Sequence, residues 1–558
     1  MYFKKILLLF LLMICVLFTV SGISAGDVDD AQDIASLSDV EEELDVSIDN
    51  PVDGDLLEQD SGDEVISAAQ SSSWTELNTL INGNNNDYIE LTKDYNFYND
   101  KYDKQFQTGI PIKRSLTIEG NWHILNANSA ARIFHVEATD IVFKNIIFIH
   151  GKSTDGSIGG AITVADNVNE QIYTAINCSF ISNQNAAMGG GNAINCYFLQ
   201  NTGSLGGATF MSRVMENCTF RLNYATSNGG AVNWGKRLTN CIFIDNRGGG
   251  SGSAVFSTPI IENCTFIRNT GSSAVHYGNV TNCIFINNTG WGSGGAVFAS
   301  NEYSAINCTF IGNHARSGGA IANINAIGCE FIDNTADQYG GAVYNATAIH
   351  CTFRNNHAGI EGDDGCNITI TKNPVKLTAP GISVAYNTGY LTITLKDDSG
   401  NPIAGYEIAV TLNGKTSKMK TNSNGQVKVS AKGLAPKTYS ASVTFDGDMN
   451  YAPAKLASKV IVNKATPKMT AKVKTFKKSV KTKKYAITLK TNLGKALNKA
   501  KVTIKVNGKT YKATTNTKGK ATFKITKLTK KGTFKSKVTF KGDKYYKKFT
   551  KTVKIKIK

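Results

Sequence analysis

The sequence has few residues of several informative types. Its 558 residues include only nine prolines, too few for a collagen-like or proline-rich rod. No apolar run beyond residue 20 is long enough to span a bilayer. The seven histidines are scattered and have no metal-ligand spacing. We therefore expect no transmembrane span in the mature chain and no cofactor.

Charge of one sign is missing from two segments. Residues 27–64 contain sixteen acids and no Lys or Arg, whereas residues 464–558 contain thirty-two Lys, no Arg and one acid. Base recognition in nucleic acids relies on the bidentate fork of arginine, so we expect no nucleic-acid partner. Clustered lysines instead favour an extended polyanion, which binds with release of its counterions. A solvated surface without a ligand is the alternative.

The N-terminus has the order of a secretory signal. Lys4 and Lys5 precede an apolar run through Val20, and small residues follow up to Ala25. We predict a signal peptide at 1–25, with cleavage after Gly22 or an uncleaved anchor as alternatives. Residues 26–73 are acidic and then serine-rich, which predicts a disordered tether. Its acids either pair with the basic C-terminus or serve as a solubilising spacer.

The middle of the chain is a repeat. Cys-x-Phe-x-x-Asn occurs nine times, about every 22 residues, and Gly-Gly-Ala with an aliphatic residue precedes most copies, as at 229–232. This period predicts a right-handed parallel β-helix, one coil per repeat. Residues at every second position of a strand share a face, so Cys and Phe would form ladders about 4.8 Å apart. The Asn would form a third ladder, at a turn. The predicted ladder residues are Cys178, Cys196, Cys218, Cys241, Cys264, Cys283, Cys308, Cys329, Cys351, Phe180, Phe198, Phe220, Phe243, Phe266, Phe285, Phe310, Phe331, Phe353, Asn183, Asn201, Asn223, Asn246, Asn269, Asn288, Asn313, Asn334 and Asn356.

Two features of the repeat need interpretation. Ladder cysteines would have Cβ atoms about 4.8 Å apart, farther than the roughly 3.8 Å of a disulfide, so we predict buried, reduced thiols. Seven copies have Ile or Leu after the Phe, for example Ile244 and Ile267, where strict alternation points outward. Either a bend turns this residue inward, which is the interpretation we favour, or an apolar stripe is exposed.

The rod needs a cover at its N-terminal end, because open strand edges pair with other chains. Ser73 and Glu76 form a capping box that opens a short helix with apolar Trp74, Leu77, Leu80 and Ile81. Residues 110–150 read as further coils without Cys. We predict that the β-helix with its helical cap occupies 74–372.

The distal third consists of two related modules, at 373–463 and 464–558. Segments match at an offset of 94–95 residues, and Asn413-Gly414 and Asn507-Gly508 are hairpin signals. About ninety residues with such hairpins predict an Ig-like β-sandwich for each module. In the second module we predict polyanion binding by Lys477, Lys478, Lys481, Lys483, Lys484, Lys547 and Lys548.

Carboxylates in the rod are sparse. Asp245 and Asp333 occupy one repeat position four coils apart, about 19 Å, too far for a glycosidase pair. Glu361, Asp363 and Asp364 could bind Ca²⁺, although a cap loop is the interpretation we favour. We predict no catalytic residue and no enzyme. A secreted polysaccharide lyase or hydrolase and a purely structural envelope component are the alternatives.

The Gly-Gly-Ala and Phe-x-x-Asn pairing resembles the repeats of polymorphic outer-membrane-protein adhesins. The layout of 1–558 is similar to that of adhesin-like proteins of methanogenic archaea, with a signal peptide, a pectate-lyase-like β-helix and Ig-like repeats. This resemblance implies a secreted, cell-surface protein. Its β-helix would then present a binding face to glycans or other cells, and its lysine-rich module would dock to an anionic cell-surface polymer.

Overall fold

The computed structural model describes residues 72–165 and 173–558. The predicted signal peptide and residues 26–71 of the predicted tether lie outside the described residues. The chain divides into two compact units, residues 1–372 and residues 373–558. Within the described part, no helix is long and apolar enough to cross a membrane.

The first unit is a parallel β-helix, as the repeat predicts. One sheet contains the ladder phenylalanines, and we call it the phenylalanine sheet; its thirteen strands pair in parallel, one per coil. Twelve steps of about 4.8 Å give it a length of roughly 58 Å. Its strands are Ser72–Ser73, Tyr95–Asn96, Ile124–Asn126, Ile147–Ile149, Ser179–Ile181, Tyr197–Leu199, Thr219–Arg221, Ile242–Ile244, Thr265–Ile267, Ile284–Ile286, Thr309–Ile311, Glu330–Ile332 and Thr352–Arg354.

A second sheet of twenty-three strands contains two parallel rows, which join in the last two coils. The glycine row follows the Gly-Gly-Ala segments and the lead-in row precedes the cysteines. The glycine row consists of Ile110–Ile112, Phe134–Val136, Ile162–Val164, Met188–Gly189, Thr209–Phe210, Val232–Asn233, Val255–Phe256, Val275–His276, Val297–Phe298, Ile321–Ala322, Val343–Ile349 and Gly365–Thr371. The lead-in row consists of Tyr88–Glu90, Thr117–Glu119, Ile141–Lys144, Tyr173–Ile176, Asn192–Ile194, Val214–Glu216, Arg237–Thr239, Ile260–Glu262, Asn279–Thr281, Ser304–Ile306 and Asn325–Ile327, and ends in the two shared strands.

A third sheet of eight short parallel strands follows the ladder asparagines. Its strands are Thr202–Gly203, Tyr224–Ala225, Arg247–Gly248, Thr270–Gly271, Thr289–Gly290, His314–Ser317, Thr335–Tyr339 and His357–Ala358.

Two left-handed backbone positions shape every repeat. The residue before the Cys and the residue before the ladder Asn have positive φ in all nine copies, for example 54° at Asn240 and 55° at Asp245. Asn and Asp tolerate this conformation better than most residues. The bends reset the alternation of side chains, so that Cys241, Phe243 and Asn246 all point into the core.

The isoleucine after the Phe does not turn inward, so the interpretation we favoured is wrong. The bend falls one residue later, at Asp245, and leaves Ile244 on the outer face of its strand. There Ile242, Ile244 and Ile267 form an apolar cluster separate from the main core. Their neighbours in adjacent coils cover them, and Ile244 is only 4% exposed.

A helix covers the first coils. The helix α1 spans Trp74–Asn82, and the Ser73 hydroxyl accepts a hydrogen bond from the Glu76 amide at 3.3 Å, as the capping box predicts. Trp74, Leu77 and Ile81 are buried. A short 3₁₀ helix at Asp103–Phe106 supports α1, because the buried Asp103 carboxylate accepts from the Thr75 amide at 2.8 Å.

The second unit contains two β-sandwiches with the same strand order. Each packs a three-stranded sheet against a five-stranded sheet around its own apolar core. The first sandwich has sheets Val375–Thr378, Tyr390–Asp397, Gln426–Ser430 and Ile382–Ala385, Ala454–Asn463, Thr438–Phe445, Glu407–Leu412, Lys415–Lys420. The second has sheets Lys468–Thr470, Lys483–Lys490, Lys520–Ile525 and Lys474–Phe476, Phe549–Ile557, Gly532–Phe540, Lys501–Val506, Lys509–Thr514.

Candidate functional surfaces

The phenylalanine ladder is part of the core. Consecutive rings from Phe148 to Phe353 stack with centroids 4.7–5.1 Å apart and nearly parallel planes. Phe148 confirms that the repeat continues upstream of the first Cys, where Ile146 takes the position of the cysteine. All rings are buried, so this ladder builds the rod and contacts no ligand.

The asparagine ladder is a chain of buried amides. The Asn246 side-chain nitrogen donates to the Phe220 carbonyl at 2.9 Å and to the Asn269 side-chain oxygen at 3.0 Å. Its own side-chain oxygen accepts from the amide and the side-chain nitrogen of Asn223, at 3.0 and 2.9 Å. Each amide is therefore saturated by its neighbouring coils, which offsets the cost of burying it.

The nine ladder cysteines are buried and free, as predicted for small hydrophobes, and Cys366 is partly exposed. Their thiols face backbone carbonyls; the Cys196 sulfur, for example, lies 3.4 Å from the Ala175 oxygen. Burial raises the pKa of the Cys178, Cys218 and Cys264 thiols. A thiol with a raised pKa is a poor nucleophile, so these positions are structural.

The acids at the C-terminal end of the rod make cap contacts. The Asp364 carboxylate accepts from the Asn356 side-chain nitrogen at 3.1 Å, where the next ladder Asn would stand. The Asp363 carboxylate accepts from the Ala358 amide at 3.0 Å and lies 3.2 Å from the His357 ring. In residues 72–165 and 173–558, no three His, Cys, Asp or Glu side chains converge as metal ligands. Glu361, Asp363 and Asp364 therefore form no such group.

Asp245 belongs to an ion pair and not to a carboxylate pair. Its two oxygens accept from the Arg268 guanidinium at 2.9 and 3.1 Å. Asp333 lies four strands along the phenylalanine sheet. The structure therefore separates the two acids as the repeat count predicts.

An aromatic ridge, absent from our sequence prediction, runs along the outside of the glycine row. Its rings form two groups: Phe210 and Trp234 have centroids 5.7 Å apart, and in the second group His276 and Phe298 have centroids 4.8 Å apart. Tyr277 lies 6.2 Å from Tyr303. The ridge residues are Phe210, Trp234, Phe256, His276, Tyr277, Phe298 and Tyr303.

The ridge side chains are presented by the backbone. Trp234 and Tyr277 directly follow their strands at left-handed positions, with φ of 57° and 62°. These two side chains are 48% and 36% exposed. They lie two coils apart, about 10 Å along the rod. Aligning the repeats on Gly-Gly-Ala would have brought Phe210, Phe256 and Phe298 into one column, and that signal was missed.

His276 lies inside the ridge as a neutral ring. It stacks between Phe256 and Phe298, and burial lowers its pKa to about 4. The ridge is therefore uncharged at neutral pH. Uncharged aromatic faces stack on the apolar faces of other rings, and Trp234 and Tyr277 expose such faces.

The second sandwich has lysines directly opposite one another. In the five-stranded sheet Lys505 pairs with Lys537, and Lys535 pairs with Lys554. In the three-stranded sheet Lys484 pairs with Lys524. All of these side chains are exposed. Opposed residues have Cβ atoms about 5 Å apart, so the like charges repel.

The predicted polyanion-binding lysines do not form one cluster. Lys477 and Lys478 follow the strand that pairs with the end of Phe549–Ile557, whereas Lys547 and Lys548 precede the start of that strand. Nine residues, about 30 Å of strand, separate the two groups. Lys483 is buried, and its ammonium donates to the Val480 carbonyl at 2.7 Å. The exposed lysines of the five-stranded sheet were the missed part of this surface.

No side-chain ion pair neutralises these lysines within residues 464–558, all of which are described. The one acid, Asp543, accepts from the backbone amides of Tyr545 and Tyr546 at 2.8 and 2.7 Å. In the first sandwich, by contrast, Lys418 pairs with Glu407 at 2.7 Å. The position of Glu407 is taken by Lys501 in the second sandwich.

Comparisons with known proteins bear on the repeat. The model of the Chlamydia polymorphic membrane protein repeat matches residues 307–324 and 328–346. Each match spans one Cys-x-Phe-x-x-Asn copy with its Gly-Gly-Ala segment. The likeness to proteins of methanogenic archaea stays a prediction. No match was found among curated proteins.

Solved structures align over about a third of the chain. A bacterial ice-binding adhesin is 19% identical over 34% of this chain and 67% of its own, with a TM-score of 0.17. Invasin, a bacterial integrin-binding protein, is 16% identical over 32% and 39%, with a TM-score of 0.22. The titin domains z1z2 are 12% identical over 34% and 98%, with a TM-score of 0.21. TM-scores this low carry no functional argument.

Proposed function

We propose that this chain is an exported, surface-held adhesin-like protein. In this proposal the aromatic ridge of the β-helix binds glycan chains, and the lysine surface of the second sandwich docks to an anionic polymer of the cell surface. The match to the polymorphic membrane protein repeat supports the adhesin-like class. The single observation that carries the proposal is the exposure of the Trp234 and Tyr277 side chains on this ridge.

The chemistry of the ridge suits a neutral glycan. Trp234 and Tyr277 offer flat faces at intervals of two coils, and sugar rings present an apolar face to such platforms. The neutral state of His276 keeps charge out of the stack. A glycan lying along the rod would contact several rings at once, which raises affinity by multiple contacts.

The lysine surface suits a polyanion. Its ammonium groups have no acidic partner in their own module, so an external anion would relieve the repulsion between opposed lysines. Lysine binds phosphate, sulfate or carboxylate as a point charge, without the geometry that arginine imposes. Such docking would hold the protein at the surface and would weaken with salt.

The ridge is tested by binding the full chain to a panel of neutral and acidic polysaccharides. Trp234→Ala should lower glycan retention about fivefold, since an aromatic stacking contact is worth about 1 kcal/mol. Trp291→Ala is the matched control, because Trp291 is 53% exposed and lies outside the ridge, next to the third sheet. Equal losses in both variants would reject the ridge. Released oligosaccharides, read by mass, would instead support the lyase or hydrolase alternative.

The lysine surface is tested with a variant copied from the first sandwich, which we call the sheet variant. Four lysines receive the residues found at matching strand positions, namely Glu407, Thr411, Ser440 and Ser442. We expect the affinity for dextran sulfate to fall about tenfold, and unchanged affinity would reject docking. The loop variant loses the same net charge outside the strands and is the control. The sheet variant is Lys501→Glu, Lys505→Thr, Lys535→Ser and Lys537→Ser; the loop variant is Lys495→Gln, Lys499→Gln, Lys518→Gln, Lys527→Gln and Lys530→Gln.

A further inference from the structure

The chain contains a potential ligand for its own lysine surface. Residues 27–64 have sixteen acids and no basic residue, whereas residues 464–558 have thirty-two lysines and one acid. No ion pair within the second sandwich uses up this positive charge in the described structure. Because both segments belong to one chain, every copy brings an equimolar supply of each.

The spacing of the charges is complementary as well as their sign. On the strand Gly532–Phe540, Lys535 and Lys537 point to the same outer face, about 7 Å apart. The acidic segment contains Asp39, Glu41, Glu43 and Asp45, which alternate in the same way. In an extended conformation these four carboxylates would share one face with the same interval.

The lysine columns extend across neighbouring strands. Lys554 lies opposite Lys535, and Lys505 lies opposite Lys537, on the two strands that flank Gly532–Phe540. An acidic segment laid in extended form along Gly532–Phe540 would therefore have lysines on both sides. Strands in a sheet are about 4.8 Å apart, so one carboxylate of the acidic segment could reach the ammonium groups of lysines on two neighbouring strands. Acids seated there would remove the like-charge repulsion that the folded sandwich contains.

The length of the chain favours pairing between copies. Residues 27–71 form a stretch of 45 residues, and a generic flexible chain of that length has a root-mean-square span of about 35–40 Å. They precede the first coil of a β-helix about 58 Å long, and the lysine module follows that β-helix in sequence. Pairing between copies does not depend on the distance between these two segments within one chain.

We propose that residues 27–64 of one copy bind the lysine-bearing five-stranded sheet of a second copy. The contact is heterologous, with different surfaces on the two partners, so it links copies head to tail into open chains. This inference rests on the proposed function, because it uses the same lysine surface as the polymer dock. The acidic segment and the surface polymer therefore compete for one site.

The test is the molar mass of the full mature chain, residues 26–558, by sedimentation and light scattering across a range of concentrations. We expect assemblies that grow with concentration at about 20 mM salt and fall apart at about 0.5 M salt, where charges are screened within a few ångströms. The sheet variant should remain monomeric. A variant that neutralises the alternating acids, Asp39→Asn, Glu41→Gln, Glu43→Gln and Asp45→Asn, should weaken association about tenfold.

A control of equal charge separates spacing from net charge. The variant Asp29→Asn, Asp30→Asn, Asp33→Asn and Asp49→Asn loses four acids that do not alternate, and it should associate nearly as well as the parent chain. Equal loss in both acid variants would overturn the strand-matched contact. Monomers at every concentration would overturn the inference, and a salt-sensitive compaction that does not depend on concentration would show pairing within one copy instead.

Dextran sulfate in the same experiment keeps the two proposals apart. If the polymer dissolves the assemblies, one site serves both ligands, as we propose. If the chain binds dextran sulfate but never associates, the inference fails and the docking function stands. If it associates through its acids but ignores dextran sulfate, the docking function fails while the contact between copies stands.

Discussion

The asparagine ladder of the β-helix and the lysine columns of the second sandwich are both built by repeating one residue on neighbouring strands. The ladder amides are buried, and each donates to and accepts from its neighbours, as Asn246 does with Asn223 and Asn269. The lysines are exposed, and each opposes another lysine, as Lys535 opposes Lys554. Repetition stabilises the first array and destabilises the second.

The difference lies in the side chain. An amide has a donor and an acceptor, so identical copies satisfy one another without any other partner. An ammonium group has only donors and a charge, so identical copies need a partner of another kind. A self-complementary array thus supports the fold, whereas an array of like charges is a cost that a ligand can offset. The asparagine ladder therefore supports the fold, and we propose that the lysine surface binds a ligand.

The largest expected effect comes from introducing a charge into the buried asparagine ladder. Asn246→Asp puts a carboxylate at a buried position and removes the two hydrogen bonds that the amide donates. We expect a loss of about 3–5 kcal/mol in the unfolding free energy of the β-helix at neutral pH. The loss should shrink as pH falls, because burial favours the neutral carboxylic acid.

Tryptophan fluorescence measures this change, since all four tryptophans of the chain lie between residues 74 and 291. The control is Asn240→Asp, an exposed amide of the same coil that donates to Asn217 at 3.1 Å. It should cost less than about 1 kcal/mol. Comparable losses of unfolding free energy at the two positions would contradict the structural role of the asparagine ladder.

The second prediction places a charge in the aromatic ridge by protonation. The folded pKa of His276, about 4, lies below its ordinary value, so the unfolded chain takes up the proton first as pH falls. Stability is therefore complete above about pH 6.5 and declines below it, by about 2 kcal/mol at pH 4.5. His276→Phe, which matches its neighbours Phe256 and Phe298, should remove this part of the pH dependence. An unchanged profile in that variant would show that another group causes the decline.

The third prediction concerns the cost of the lysine columns. At low salt the sheet variant should unfold its second sandwich with a free energy about 1 kcal/mol higher than the parent, because it removes two opposed lysine pairs. Hydrogen exchange of the Gly532–Phe540 amides measures this locally. The gain should disappear at about 0.5 M salt, where the charges are screened. A gain that persists there would have a cause other than repulsion.

The smallest effect is expected from the reverse change in the first sandwich. Thr411→Lys with Ser442→Lys creates one opposed lysine pair on a sheet that has none at that position. We expect a loss of about 0.5 kcal/mol and a small gain in retention on dextran sulfate at low salt. Retention unchanged from the parent would mean that one pair is too few to bind.

Much of the fold could be predicted from the sequence, because nine exact repeats fix the coil and its inward residues. The burial of Phe243, Cys241 and Asn246 follows from their spacing alone. The position of the bend does not, since a left-handed residue at Asp245 changes which of its neighbours point inward. Simple alternation therefore placed Ile244 correctly, and our added bend placed it wrongly.

The surfaces were harder to predict, because they depend on contacts across coils and strands. The ridge joins Trp234 and Tyr277, which share one column of the repeat, to Phe298 in the neighbouring column. The lysine pairs depend on strand register, and runs of lysine in sequence, such as Lys477 and Lys478, marked loops at one end of the sandwich. The sequence showed where lysines are dense, but only the pairing of the strands shows which lysines lie opposite one another.

The most direct test of the account is the fraction of exported protein that stays on the cell surface. The comparison needs four chains: the parent, the sheet variant, the loop variant and Trp234→Ala. The account predicts release of the sheet variant into the medium, while the loop variant and Trp234→Ala stay with the cells. Retention of the sheet variant at the level of the parent would contradict the proposal that the lysine columns hold the protein at the surface.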